Sequence, residues 1–461
     1  MIDLGRYSGR RVAVLGLAKS GRVAAEALLA AGADLCAWDD SSSAREAAAA
    51  VGVPIMDLGR DDARRWAALV MSPGIPLTHP QPHPQALRAE AAGVPVIGDI
   101  ELLWEANLGA SFVGITGTNG KSTTTALIGH ILAAAGMPVA VGGNLGTPVL
   151  ALPALGPGGR YVIETSSYQL DLIHETRFAI AVLLNLTPDH LDRHGDMAGY
   201  AAAKRRIFRR QQVGDTAVIG IDDDHGRELA AELAAEPADV IAISSESVPV
   251  GGVGVADGRL VDHLGTVPVT VMDLRNVPTL PGAHNWQNAA AAYAACRAAG
   301  LEAATVAAAL ATYPGLAHRQ ELVGAIGDVR FVNDSKATNA DAAAKALGCY
   351  DRIYWIAGGK PKAGGIASLT PYFDRIVHAY LIGAAADDFA TVLDGKVAVT
   401  KSGDLTTAVA DAARDAGQDR SGRAVVLLSP ACASFDQFTS FEARGEVFRG
   451  LVTALSQEAA S

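Results

Sequence analysis

Cysteine is scarce in this chain of 461 residues: four in all, at positions 36, 296, 349 and 432. Nothing in that scatter has the spacing of a metal-binding cluster or a disulfide framework, so reduced, buried thiols of a cytosolic protein are expected. Positive charge is also short, with 38 Lys and Arg against 49 Asp and Glu and a net charge of −11. A diffuse electrostatic attraction to nucleic acid or to an anionic membrane is thereby excluded, and any anionic ligand must be caught locally. Long apolar runs are missing too. The stretch Met1-Ile2-Asp3-Leu4-Gly5-Arg6 holds no apolar export signal, and later runs are broken by Gly, His or charge before they reach membrane-spanning length. A cytoplasmic enzyme without a membrane partner is the expectation.

What is present is alternation. Short apolar runs recur between helical patterns, as in a mostly parallel sheet covered on both faces, whose ligands gather at the carboxyl ends of the strands. The run Phe112-Val113-Gly114-Ile115 leads into Thr116-Gly117-Thr118-Asn119-Gly120-Lys121-Ser122-Thr123 and then a helical pattern. A glycine-rich turn between strand and helix points backbone N–H groups at a phosphate; Lys121 can reach the β and γ phosphates and the Ser122 hydroxyl can ligate Mg²⁺. A strict phosphate loop would carry glycine at 115, where this chain has Ile115, so the motif is a variant with Gly117 inside it. The plain alternative is a glycine-rich turn with a solvent lysine.

Nearer the N-terminus, Arg11-Val12-Ala13-Val14-Leu15-Gly16 reads as a buried strand, and Leu35-Cys36-Ala37-Trp38 as a second one ending at Asp39 and Asp40. The pattern is Rossmann-like, but Ala18 stands where a dinucleotide site needs its middle glycine, which disfavours a nicotinamide oxidoreductase and favours a related ligand such as a UDP-sugar. Residues 218–277 read as a polar, glycine-rich excursion of short strands. After it, Asn285 and Asn288 fall three apart on one helix face. A third α/β unit starts after Tyr313-Pro314-Gly315, with strands at Val329–Val332, Ile353–Ala357 and Ala424–Leu428. Glu164, Asn144 and the stretch from Asn185 to His194 all fall at strand ends, plausibly beside the phosphate loop. Singly, each has an ordinary explanation: Glu164 a solvent-facing carboxylate, His190 a packed or capping imidazole, Lys204 a surface member of the basic run Lys204-Arg205-Arg206.

Together these stretches resemble the Mur ligases. The resemblance is carried by Thr116 to Ser122, Glu164-Thr165-Ser166-Ser167-Tyr168-Gln169, Asn185-Leu186-Thr187-Pro188-Asp189-His190-Leu191-Asp192, Tyr200 to Lys204, His284-Asn285, Asn333-Asp334-Ser335-Lys336-Ala337-Thr338 and Pro430-Ala431-Cys432-Ala433-Ser434-Phe435-Asp436. They run in order over nearly the whole chain and match the D-glutamate-adding branch of the family. The resemblance implies an α/β protein of three domains: a Rossmann-like UDP-sugar domain (1–101), a central P-loop ATPase-like domain with a mostly parallel sheet (102–314) and a Rossmann-like amino-acid domain (315–461).

It further implies a monomer that uses ATP and two Mg²⁺ ions to join D-glutamate to UDP-N-acetylmuramoyl-L-alanine through an acyl phosphate. Gly117, Thr118, Asn119, Gly120, Lys121, Ser122 and Thr123 would hold the phosphates, with Asn285 and Asn288 at the adenine and Arg319 and Asp334 reaching the nucleotide from the third domain. Ser122, Glu164, His190 and a carbamylated Lys204 would be the metal ligands, and Lys121, His190 and Lys204 the catalytic set. A carbamate there makes sense, because it offers Mg²⁺ an anionic oxygen where an ammonium would repel it. Ser20, Ser72, Gly74, Asn144, Ser166, Gln169 and His190 would meet the UDP-muramoyl substrate, and Lys336, Thr338, Lys362, Ser434 and Phe441 the glutamate. Two departures stand out. The loop after Gly358-Gly359 reads Lys360-Pro361-Lys362, leaving open which lysine meets the amino acid, and Asp39-Asp40-Ser41 lacks the arginine some members place near the uracil.

Overall fold

The structure is a computed structural model, and it describes residues 2–106, 109–144, 146–362 and 364–460. Three sheets account for the strands: β1 (Arg11–Leu15) to β4, β5 to β13, and β14 to β19. The first has the order β2-β1-β3-β4, with β2 at Asp34–Trp38, β3 at Ala68–Met71 and β4 at Val96–Ile97, and all its pairs are parallel. Val12 to Leu15 are buried because helices cover both faces, which is why that strand reads as a continuous apolar run.

The second sheet is built from β5 (Ser111–Thr116), β6 (Val139–Gly143), β7 (Arg160–Glu164), β8 (Ile180–Leu183), β9 (Thr216–Gly220), β10 (Asp239–Ser244), β11 (Val253–Ala256), β12 (Arg259–Asp262) and β13 (Val269–Asp273). Its order is β13-β12-β11-β10-β9-β8-β5-β7-β6. Strand β5 lies between β7 and β8, pairing with both in parallel. The chain therefore leaves β5 toward one side of the sheet and returns on the other, and the turn after β5 opens into the crevice where such sheets bind ligands. Residues 218–277 differ from the excursion expected: β9 and β10 continue the parallel sheet with the helix Asp224–Leu233 between them, and only β11 to β13 form an antiparallel ribbon at its edge.

The third sheet comprises β14 (Glu321–Ile326), β15 (Val329–Asn333), β16 (Ile353–Gly358), β17 (Ile376–Ile382), β18 (Ala398–Gly403) and β19 (Val425–Leu428), in the order β14-β15-β19-β16-β17-β18. Only β14 is antiparallel to its neighbour. On β16, Ile353, Trp355 and Ala357 enter one core cluster while Tyr354 and Ile356 enter another, so both faces are packed.

The chain divides into two compact units, residues 1–274 with 285–312, and residues 275–284 with 313–461. In the first unit one continuous core cluster runs from Val12, Leu28 and Val70 through Ile97 and Leu102 to Phe112, Ile163 and Ile219, so its two sheets share a hydrophobic interior. The helix Asp99–Glu105 joins them. Buried Glu101 accepts the backbone N–H groups of His174, Glu175 and Thr176 and the hydroxyl of Thr176. Among the described residues no helix is long and apolar enough to cross a membrane.

Candidate active site

The turn after β5 adopts the shape its glycines permit. Gly117 has φ 145° and Gly120 φ 84°, and a Cβ on Gly120 would collide with Oδ1 of Asn288. Glycine is required at 120 twice over, for the left-handed backbone and for the close approach of the helix Ala283–Ala298. Immediately after it the helix Lys121–Ala134 starts with no side-chain cap, leaving its first N–H groups for an anion. Lys121 Nζ donates to the carbonyls of Gly117 at 2.9 Å and Thr118 at 2.8 Å. Ser122 and Thr123 are buried in the first turn.

Flanking strands bring the other groups to the same level. Ile115 pairs with Glu164, and Glu164 with Gly143 on the far side. Glu164 is 2 % exposed; its Oε1 accepts Nδ2 of Asn144 at 2.7 Å, while the buried Oε2 has no partner. A buried carboxylate oxygen with nothing to bond is costly and is suited to a cation, so the donor set fits Mg²⁺. Lys204, on the helix Met197–Arg205, is 1 % exposed and is not the surface lysine its basic neighbours suggest. Its Nζ donates to the Gly117 carbonyl at 2.9 Å and lies 4.7 Å from the centre of the Tyr200 ring. Burial first, then the charge of Lys121, pushes Lys204 down to about 7, against the opposing pull of Asp189 and Glu164. The two lysines thus converge on one carbonyl.

His190 adopts a left-handed backbone (φ 53°), is exposed, and lies 3.4 Å from Asp189 and 5.0 Å ring to ring from Tyr168. Among the described residues no three of His, Cys, Asp and Glu are grouped as a metal cage, so any metal here must draw on the Ser122 hydroxyl, on Lys204 or on phosphate oxygens as well. Asn285 and Asn288 share a face as expected, with Asn288 Nδ2 donating to Asn285 Oδ1 at 3.2 Å, and Thr124 donates to Asn288 Oδ1 at 3.3 Å. Thr118 N donates to the Asn185 carbonyl and Asn119 N to Asn185 Oδ1, both at 2.9 Å, which pins the outer part of the loop.

On the first sheet, Ser72 Oγ donates to the Gly16 carbonyl at 3.0 Å, and Asp39 Oδ2 accepts Leu17 N at 2.6 Å, so that acidic residue secures its own loop. Ser20 lies in the first turn of the helix Lys19–Ala30. The carbonyls of Gly74 and Ile75 accept Arg193 at 2.9 and 3.1 Å, and Arg193 also stacks over Tyr168 at 4.4 Å. Arg193 lay inside the stretch recognised in the sequence, but nothing there marked its carbonyl partners. Ser166 and Gln169 bond each other in a reciprocal helix cap.

In the second unit, Asp334 is buried at the end of β15; its Oδ2 accepts Ser429 Oγ at 2.8 Å and its Oδ1 accepts Gln320 N at 3.2 Å. Burial raises its carboxyl to about 7. Arg319 lies between His318 and Gln320, both of positive φ. Lys336 stands 5.6 Å over the Phe441 ring, Thr338 N donates to the Lys336 carbonyl, Ser434 is buried, and Lys362 is exposed. The sequence reading missed Arg444, one helical turn after Phe441. It is wholly buried, donates to Ser335 Oγ and to the carbonyls of Ser335 and Cys432, and keeps Nη1 without a partner. An arginine in the first turns of a helix normally signals solvent, so only packing could expose this one.

Known proteins supply the family and the fold. The family described as "Mur ligase middle domain" matches residues 115–296. A UDP-N-acetylmuramoylalanine--D-glutamate ligase of Paramagnetospirillum magneticum is 55 % identical over 461 residues, covering 100 % of both chains. One of Rhodospirillum rubrum is 55 % identical, covering 100 % of this chain and 98 % of that one. Among solved structures, a UDP-N-acetylmuramoyl-L-alanyl-D-glutamate--2,6-diaminopimelate ligase superposes with a TM-score of 0.57 at 20 % identity over 99 % of this chain and 94 % of that one. The UDP-N-acetylmuramate-alanine ligase of Thermotoga maritima gives 0.56 at 16 % identity, with 96 % and 99 % covered. The fold is the same across these, and with full-length identity of this order the chain belongs to the Mur ligase family, among its UDP-N-acetylmuramoylalanine--D-glutamate ligases.

Proposed function

We propose that this protein joins D-glutamate to UDP-N-acetylmuramoyl-L-alanine in the cytoplasm as a step of peptidoglycan precursor synthesis, converting ATP to ADP and phosphate, and that it acts as a monomer. One observation carries the reading: the phosphate loop with its uncapped helix start and the unpartnered oxygen of Glu164 lie at the ends of the adjacent strands β5 and β7, and the buried amine of Lys204 reaches the same loop from its helix. Those are parts that phosphoryl transfer requires.

Loop N–H groups and Lys121 take the β and γ phosphates. Asn285 and Asn288 hold the adenine, and Arg319 and Asp334 add nucleotide contacts. Ser122 and Glu164 would hold one Mg²⁺, and His190 with a carbamylated Lys204 a second; when bound, the ions neutralise charge on the transferring phosphoryl group. Carbamylation joins the neutral Lys204 amine to CO₂ with loss of one proton, and the product would give the second ion an anionic oxygen where the ammonium offers none.

Ser20, Ser72 and Gly74 serve the UDP end of the muramoyl substrate, and Asn144, Ser166, Gln169 and His190 its peptide end. The terminal carboxylate of the alanine attacks the γ-phosphorus: its oxygen–phosphorus bond forms as the bond to ADP breaks. Lys336, Thr338, Lys362, Ser434 and Phe441 then hold D-glutamate while its amine attacks the acyl carbonyl, phosphate departs and the amine proton is lost. Splitting amide formation in this way makes each step easier, provided water is kept from the acyl phosphate.

ADP release measured across an amino-acid panel tests the assignment. Release that needs both UDP-N-acetylmuramoyl-L-alanine and D-glutamate is expected; release without either, or with L-glutamate equally, would overturn it.

A further inference from the structure

Between the two asparagines of the helix Ala283–Ala298 stands Gln287, which the reaction described above does not use. It is 8 % exposed and both ends of its amide are engaged. Nε2 donates to Asp222 Oδ2 at 2.7 Å, and Oε1 accepts Asn185 Nδ2 at 3.1 Å. Asn185 in turn holds Asn119 N and Thr118 N of the phosphate loop. Asp222, two residues past the end of β9, also accepts Ser245 N and Oγ at 2.9 and 2.8 Å and the hydroxyl of Ser244 at the end of β10. A single side chain therefore joins the helix that carries Asn285 and Asn288 to the phosphate loop on one side and to the ends of β9 and β10 on the other.

From this we infer that Gln287 is a positioning residue for the nucleotide, setting the distance between the adenine-binding helix face and the phosphate loop. The inference rests on the proposed ATP site. Along a helix each residue turns about 100°, so Gln287 points away from the face shared by Asn285 and Asn288, and both ends of its amide are already taken by protein groups. Its effect must pass through Asn185 and the helix. An amide meets both demands at once: Asp222 offers acceptors and so requires a donor, while Asn185 Nδ2 requires an acceptor. Glutamate has the same shape but would face Asp222 as a second carboxylate, and the two would share a site that resists double ionisation. The charged neighbours of this point are Asp222 itself, Asp223, which accepts Leu186 N, and Arg227, which donates to the Ile221 carbonyl beside Asp222, while the groups from β10 and the Asn185 turn are hydroxyls, amides and backbone.

The test combines direct ADP binding by calorimetry with steady-state kinetics on the full chain. For Gln287→Ala, ADP affinity should fall and KM for ATP rise about tenfold, with kcat and the KM values of the other two substrates within about threefold of wild type. For Gln287→Glu, the ratio of variant to wild-type ADP affinity should recover as pH falls from 8 to 6, because protonation restores a donor toward Asp222. Gln287→Ala should show no such recovery. Unchanged nucleotide affinity in both variants, a loss confined to kcat, an equal loss for all three substrates, or a Gln287→Glu ratio flat with pH would each overturn the inference. Failure of the wild-type chain to bind ADP would instead sink the ATP site. If Gln287→Ala does not fold, the pH dependence of the isosteric Gln287→Glu decides alone.

Discussion

Lys204 is held by the Gly117 carbonyl and the Tyr200 ring, with Lys121 adding a second positive charge nearby, and its ammonium gains little there. Lys204→Ala should lower turnover by about a thousandfold, the scale of losing a group that stabilises transferring charge. Millimolar short-chain carboxylic acids should restore part of it by supplying the missing oxygen, as followed by ADP release; no rescue would count against the carbamate. Asp334 allows a pH experiment with a definite sign. Its carboxyl is raised from an unfolded value near 3.8 to about 7, so the folded state binds the proton more readily than the unfolded one. Its contribution is fully present below pH 3.8 and is lost as pH rises through 7, a swing of up to about 4 kcal/mol. Asp334→Asn should therefore gain in denaturant midpoint relative to wild type between pH 5 and pH 8; a constant difference would refute the burial argument. Glu164 was legible as a strand-end carboxylate because Tyr161-Val162-Ile163 announces its strand. Lys204 could be placed only by resemblance. Its neighbours Arg205 and Arg206 describe a solvated face, and its burial comes from the turn of the helix, which sets Tyr200 four residues earlier on the same side.

Among elements, the phosphate loop is the one whose sequence states its geometry most fully. Gly120→Ala should cost about 1–2 kcal/mol from the left-handed backbone alone, and the new methyl must displace Asn288 as well. Thermal midpoint and KM for ATP should both worsen; a variant with normal nucleotide affinity would show that the helix is free to shift. Parallel strands buried on both faces, such as β1, β5, β16 and β19, announce themselves as unbroken apolar runs. The edges do not. β18 carries Lys401 and Ser402 in an exposed pattern, and β13 leaves Val269 and Thr270 to solvent, so neither shows the unbroken burial of a central strand. β9 was hidden differently, since its apolar run is followed at once by Asp222-Asp223-Asp224, a polar break that opens a helix and hides the parallel strand β10 beyond it.

At the scale of the molecule, two compact units predict two unfolding transitions in calorimetry rather than one. UDP-N-acetylmuramoyl-L-alanine should raise the transition of the unit containing the first two sheets, and a single sharp transition unaffected by it would contradict that division. Within this unit the clasp of Glu101 on residues 174–176 works as the fixed jaw of a calliper. On the proposal that the loops after β1 and β3 seat the uridine diphosphate and the loop after β5 the γ-phosphate, the span between the two ends would be set by this joint and not by the ligand. On those proposed seats the substrate is selected by its length: a muramoyl sugar bearing no amino acid, or one bearing a dipeptide, should fail to drive ADP release, and release equal to that with the alanine-bearing substrate would refute it.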